Sequence, residues 1–233
     1  MIDFHTHILP AVDDGAADKE EAMALIAALM KEGVKTAVCT PHFDPGQCSI
    51  QDFVRSRGKA MQELKDAAIR LVAASETGLH DYLFHYSDLE PICIEKTKYL
   101  LLELPFYGKW NDRLYSMIDN LISYYDIIPI IAHIERYPAA KKAERCIRRL
   151  KDTGCLIQLN TSSLLNARNQ KRALKYIKKG YVDLLGSDCH DCIRRPPAMM
   201  SAVRLIEAVL GKECCRRLED NAINVLNNID IRR

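Results

Sequence analysis

The sequence has almost no net charge: 33 Lys and Arg face 31 Asp and Glu, which leaves +2 over 233 residues. No bulk excess of either sign draws such a chain onto nucleic acid or an anionic membrane. Also missing is any apolar run near the roughly 20 residues needed to span a bilayer. The opening Met1-Ile2-Asp3-Phe4-His5 has no basic stretch followed by an apolar one, as a secretory signal would. A soluble, cytoplasmic protein without membrane insertion is expected. No Pro/Gly/Ser-rich linker, low-complexity tract or short repeat interrupts the chain, so one continuous domain over 1–233 is preferred to two. The nine cysteines are odd in number and scattered, in a chain long enough to build a core without staples. Reduced thiols are expected. What the chain does have is seven histidines, few in number but informative in placement.

Short apolar runs alternate with longer amphipathic stretches, the pattern of repeated βα units. Between Asp18 and Glu32, the residues Ala22, Leu25, Ile26, Leu29 and Met30 recur at helical spacing. Asp18 and Glu21 resemble a capping box, and Gly33 supplies the stop. Further helices are predicted near 52–70, 111–125, 140–153, 165–179 and 197–210, the last-turn glycines Gly154, Gly180 and Gly211 closing three of them. Seven strands fall between, at 2–6, 34–40, 70–75, 99–102, 127–132, 155–159 and 182–187. Their ends carry, in order, His5 and His7, His42, Glu76, Glu103, His133, Asn160, then Asp188 and His190. A polar group at every strand end fits a parallel barrel, whose C-terminal strand ends open on one face and build the active site. A doubly wound sheet gathers its ligands at one crevice instead. A barrel of seven strands is the better reading.

Taken singly, these residues are common loop groups. Asp13-Asp14-Gly15 is an ordinary turn, and Thr40-Pro41-His42 places one imidazole beside a proline. Together they offer imidazole and carboxylate at successive strand ends, a mixture that suits divalent Zn, Mn or Fe. Glu103 follows the apolar Leu101-Leu102, where an unpaired carboxylate is costly to bury and needs a metal or an Arg.

The runs Asp3-Phe4-His5-Thr6-His7-Ile8-Leu9-Pro10, Asp13-Asp14-Gly15, Thr40-Pro41-His42, Glu103-Leu104-Pro105-Phe106, Ala132-His133-Ile134-Glu135-Arg136-Tyr137 and Ser187-Asp188-Cys189-His190 resemble those of the PHP (polymerase and histidinol phosphatase) superfamily. Within it, the chain is similar to the bacterial capsule and exopolysaccharide protein-tyrosine phosphatases, over essentially its whole length. The resemblance implies an α/β fold, a distorted (β/α)7 TIM-like barrel, with the active site at the C-terminal strand ends and three divalent metals. Mn is the metal it implies, with Fe or Zn as alternatives. Carried over motif by motif, His5, His7 and Asp188 would hold one ion, Glu103 and His133 a second, and Asp14, His42 and His190 a third. A carboxylate from the third strand would bridge the first two. One alignment makes this Glu76; another, using a Gly-x-Glu form, lands on His80. Glu76 is preferred because a bridge needs two oxygens.

The resemblance implies a metal-dependent phosphoester hydrolase, a protein-tyrosine phosphatase that uses a metal-activated water. Its substrate would be a phosphotyrosine protein, a bacterial tyrosine kinase of polysaccharide biosynthesis or export. A small-molecule phosphatase such as a histidinol phosphatase, or a metal-binding regulatory module without catalysis, are the alternatives. Arg136 is the first candidate to bind phosphate and Arg195 the second, with neighbouring Arg194 undecided, because a planar guanidinium fork matches phosphate oxygens.

Cys189 and Arg195 stand at the CxxxxxR spacing of thiol phosphatases, but the intervening residues contain no glycine to turn backbone N–H groups inward. Cys189 and Cys192 also form a CxxC without a thioredoxin-like context, and Cys214-Cys215 reads as packing on a helix. The cations Lys141, Lys142, Arg145, Arg148, Arg149, Lys151, Lys171, Arg172, Lys175, Lys178 and Lys179 fall on outer helices. There they read mainly as solvated faces, and secondarily as a dock for an acidic partner.

Overall fold

The computed structural model describes residues 1–106, 110–138, 140 and 144–231; Lys141 and Lys142, counted above among the outer cations, lie outside them. Strand β1 (Ile2–Thr6) pairs with β2 (Thr36–Cys39), and β2 with β4 (Arg70–Ala73). A second series runs β3 (His42–Phe43), β5 (Glu76–Gly78), β6 (Tyr99–Glu103), β7 (Ile128–Ile131), β8 (Leu156–Asn160) and β9 (Leu184–Gly186). Every pairing is parallel. The sheet curls until β9 meets β1 again. Closure there is made by Asp188 N–H to His5 O (2.8 Å), His7 N–H to Cys189 O (3.0 Å) and Ser187 N–H to the Asp3 carboxylate (2.8 Å). This is the expected distorted barrel of parallel staves.

The distortion has a residue-level cause. Two of the seven staves are each built from two pieces, β2/β3 and β4/β5, the second piece lying beyond the predicted 34–40 and 70–75. Pro41 sits in the first break and has no N–H to give a ladder. In the second, Ala74 and Ser75 leave the sheet, and the buried Arg57 guanidinium donates to Ala74 O and Pro91 O, both at 2.8 Å. The backbone carbonyl freed by the break is thus satisfied internally. One consequence corrects the prediction: Glu76 opens β5 rather than closing a strand over 70–75.

Inside the barrel, one residue or more from each stave forms a closed cluster: Phe4, Val38, Val72, Leu101, Ile130, Leu156 and Leu184. The period of two that buries these also aims the site. On β6, Tyr99 and Leu101 face inward and Glu103 follows on the same face; on β8, Leu156 is followed by Gln158 and Asn160. Truncating one of the inner aliphatic residues to Ala costs about 2–5 kcal/mol.

The helices lie outside. Helix α1 (Lys19–Lys31) is capped by the Asp18 carboxylate accepting from Glu21 N–H at 2.9 Å, and buries Ala22, Leu25, Ile26 and Leu29. Met30, assigned above to the same face, points out and is 46% exposed. Then come α2 (Ile50–Glu63), α3 (Asp112–Tyr125), α4 (Glu144–Thr153), the short α5 (Ser162–Leu165), α6 (Ala167–Lys178) and α7 (Met199–Leu210). The predicted helix over 165–179 is α6, preceded by the separate short turn α5 and capped by Asn166, whose side chain accepts from Arg168 N–H. Helix α8 (Lys212–Leu226), beyond the predicted series, inserts Ala222 and Val225 into the inner cluster. Among the described residues no helix is long and apolar enough to cross a membrane.

Candidate metal centre

All nine residues expected to ligate metal come together at the C-terminal strand ends. They form three overlapping groups: His5, His7, Glu76 and Asp188; His7, Asp14, His42 and His190; and His42, Glu76 and Glu103. His133 joins the last, its Nε2 lying 2.7 Å from Glu76 and 3.3 Å from Glu103. His7, His42 and Glu76 are each shared between groups.

Glu76 is central. One of its oxygens lies 3.0 Å from His5 Nε2, 3.3 Å from His7 Nε2 and 3.2 Å from His42 Nδ1, while the other faces His133. Its two oxygens therefore look into two different groups, as a bridge requires. His80, the rival for that position, is exposed and instead accepts from Tyr82 N–H at the start of a 3₁₀ turn.

The backbone is bent to reach this arrangement. His133 and Asp188 both hold positive φ, +31° and +57°, outside the usual region for side chains of their size. Such conformations cost on the order of 1 kcal/mol each and persist where surrounding structure over-determines them. Two glycines make room. A methyl group at Gly15 would lie 2.0 Å from His7 O, and one at Gly186 would lie 2.5 Å from His5 Cβ.

Whether these residues suit cations is decided by their hydrogen bonds. His7 Nδ1–H donates to Asp13 at 2.6 Å, His5 Nδ1–H to Gln158 Oε1 at 3.3 Å, and His190 Nδ1–H to Asp188 O at 3.0 Å. These partners assign the tautomers, and each leaves an Nε2 lone pair facing the site. His5 Nε2 and His7 Nε2 are 2.9 Å apart, and both lie 3.4 Å from one Asp188 oxygen. Lone pairs so crowded repel unless a proton or a cation sits among them. Asp188 Oδ1 and His190 Nε2 are, moreover, buried without a hydrogen bond, their nearest charged neighbours being Arg195 Nη2 at 2.7 Å and Asp14 at 3.3 Å. The donor set fits divalent metal.

The titration shifts reflect the same crowding of imidazole against carboxylate. Burial lowers the His133 pKa, yet hydrogen bonds to Glu103 and Glu76 outweigh it and hold the group up at about 9. Burial would likewise raise Glu76, but the surrounding imidazoles keep it well below the ordinary range. His190 is the exception, lowered to about 4 by burial and by the charges of His7 and Arg195.

Two guanidiniums border the centre. Arg195 Nη2 lies 2.7 Å and Arg136 Nη1 3.3 Å from Asp188, and both side chains keep substantial exposure. Arg136 also lies over the Phe106 ring at 5.0 Å. The Arg194 backbone N–H donates to Asp191, and Arg194 lines a neighbouring cavity with Asp188 and Arg195. Cys189 is fully buried, which together with Asp3 drives its thiol well above the ordinary range. A buried thiol without thiolate character does not serve as a nucleophile, and all nine cysteines are free.

Residue-by-residue reading of the sequence missed the supporting shell. Asp13 was seen only as part of a turn, yet it orients His7 and accepts from His42 N–H at 2.9 Å. Gln158 Oε1 accepts from His133 N–H at 2.6 Å as well as facing His5, and Gln158 Nε2 donates to Asn160, which donates to Asp188. The signal was the period of two along β8, which puts Gln158 and Asn160 on the inward face above Leu156.

A curled parallel barrel with histidine and carboxylate clusters at its strand ends defines a metal-dependent hydrolase of the PHP-like type. Residues 1–227 match the family described as capsular polysaccharide synthesis, CpsB/CapC, and the chain belongs to that family. Tyrosine-protein phosphatase CpsB of Streptococcus pneumoniae is 30% identical over 94% of each chain. Tyrosine-protein phosphatase YwqE of Bacillus subtilis is 27% identical over the whole of this chain and 94% of its own. Among solved structures, one described with YwqE and CpsB as unique metal-dependent tyrosine phosphatases superposes with a TM-score of 0.87 at 25% identity, covering 98% of this chain and 95% of that one.

Proposed function

We propose that this protein is a metal-dependent protein-tyrosine phosphatase that acts in the cytoplasm on a tyrosine kinase of polysaccharide biosynthesis or export. Residues 1–233 act as one catalytic domain. The observation that carries the reading is the convergence of nine imidazole and carboxylate side chains beneath two partly exposed guanidiniums. The naming of both relatives above as tyrosine-protein phosphatases supports the choice of substrate.

His5, His7 and Asp188 would hold one ion, Glu103 and His133 a second, and Asp14, His42 and His190 a third, with Glu76 available to the first two. When bound, Mn or a similar divalent ion supplies Lewis acidity toward phosphoryl oxygens and acidifies water. The chain's own contribution is positional. Asp13, Gln158 and the Asp188 carbonyl fix which imidazole nitrogen points inward. Arg136 and Arg195 leave Asp188 to grip the non-bridging oxygens of the phosphoryl group, and the fork of each guanidinium restricts its rotation. The leaving phenoxide of tyrosine has an ordinary pKa near 10, so its departure demands less protonation than that of a serine alkoxide. Burial of the floor of the site limits water to the mouth.

The test is hydrolysis of a phosphotyrosine peptide against histidinol phosphate, with chelator and with added Mn. Chelator-sensitive turnover of the peptide is expected. Preference for histidinol phosphate would assign a small-molecule phosphatase, and chelator-resistant turnover abolished by thiol alkylation would overturn the metal reading.

A further inference from the structure

Near-neutral overall charge conceals a strong asymmetry. Residues 144–179 carry ten Lys and Arg against Glu144 and Asp152, a net of +8, so with +2 for the whole chain the remaining residues carry −6. These cations lie on α4 and α6 and at the C-cap of α6, outer helices joined by Glu144, which pairs with Lys175 of α6 and with Lys179 just beyond it. Arg149 and Lys151 are also engaged, by Asp112 and Asp183. Arg145, Arg148, Arg168, Lys171 and Lys178 are exposed and have no carboxylate partner among the described residues. Unbalanced like charges on neighbouring helices oppose folding, so this face is not explained by stability.

Its position gives it a use. Helix α6 starts at the mouth of the site: Asn166 and Asn169 line a cavity of about 350 Å³ together with Arg136, Ser162 and Arg195. From Arg168 to Lys178 the helix rises about 15 Å, the reach of some five extended residues. Neither α4 nor α6 exposes a large apolar side chain among the described residues, whereas helices that lie on membranes insert one. Resting on the phosphatase reading above, we propose that the α4–α6 face docks an acidic polypeptide segment flanking the phosphorylated tyrosine of the substrate. The phosphate enters between Arg136 and Arg195, and Asp or Glu side chains a few residues away lie along Arg168, Lys171 and Lys178. Electrostatic attraction of this kind acts on association and on KM, and fades with salt because the Debye length is about 8 Å at physiological ionic strength.

The metal-loaded enzyme is assayed on two phosphotyrosine peptides that differ only in acidic or neutral flanks, and on para-nitrophenyl phosphate. The expected result is a KM about 10-fold lower for the acidic peptide at low salt, lost at 0.5 M salt. R148E/K171E/K178E removes the preference with kcat and para-nitrophenyl phosphate turnover unchanged, and the corresponding glutamine variant falls between. Equal KM values for the two peptides in the wild type, or an undiminished preference in the reversed variant, overturn the docking assignment and leave the phosphatase reading standing. Variant-sensitive binding to anionic vesicles or nucleic acid, with peptide KM unmoved, assigns the face to that other partner and overturns it too. Absence of phosphotyrosine turnover by the metal-loaded protein overturns both readings.

Discussion

The floor and the rim of the metal centre are built from the same residue types on opposite physical terms. On the floor, His5, His7, Glu76, His133 and Asp188 are almost completely buried and locked by Asp13, Gln158 and Asn160. At the rim, Asp14 and His42 are 65% and 40% exposed, and Arg136 and Arg195 reach the site on partly free side chains. The floor accumulates charge that low-dielectric surroundings make costly without a counter-ion. The rim keeps groups that can move when an anion arrives. Preorganisation belongs to the part that holds metal, and adaptability to the part that meets substrate.

The comparison is broken most severely at the floor. Glu76→Gln removes a charge facing four imidazoles, and metal content by elemental analysis should fall with phosphatase activity by 10³-fold or more, on the order of 4 kcal/mol; His80→Ala should change neither. Metal lost in the His80 variant alone would move the bridge to that residue. A step smaller is Asp13→Asn, which leaves every direct donor in place but weakens the orientation of His7. A loss of about 10–100-fold in metal affinity, measured by competition with a chelator, is expected from a partner of this kind. At the rim, Arg136→Ala should raise KM for phosphotyrosine peptide about 10-fold while bound metal stays constant, and unchanged kinetics would exclude it from the phosphate subsite.

The smallest effect lies outside the centre, where Glu144 meets Lys175 and Lys179 near the surface. Hydrogen bonds to these two lysines lower its pKa to about 2. Because the folded value is lower than the unfolded one, the pair stabilises above about pH 4.5 and the contribution is lost as pH falls toward 2. Glu144→Gln should therefore cost under about 1 kcal/mol at neutral pH and nothing at pH 2, read from denaturant midpoints. A penalty independent of pH would mean packing, not charge, and would erase the contrast between a solvated ion cluster and the buried floor.

How far each region was legible follows from the same contrast. The alternation of apolar runs and amphipathic stretches is local, so the βα series, the barrel and the polar strand ends could be read directly. Period two along β6 already aims Glu103 above Tyr99 and Leu101. The broken staves could not be read, because the departure of Ala74 and Ser75 from the sheet depends on Arg57 arriving from α2 to take the freed carbonyl. Met30 was misassigned for a related reason: helical spacing alone cannot say how wide the buried stripe is.

The sequence by itself determined the architecture and the inventory of imidazole and carboxylate side chains at the strand ends, since hydrophobic period and residue chemistry are properties of the chain. Only the tertiary structure decided that Glu76 rather than His80 stands between the groups, that Asp13 and Gln158 aim the imidazoles, and that Cys189 is inert. Those outcomes depend on burial and on distances between residues as far apart as His5 and Asp188, quantities that exist only once the barrel has closed.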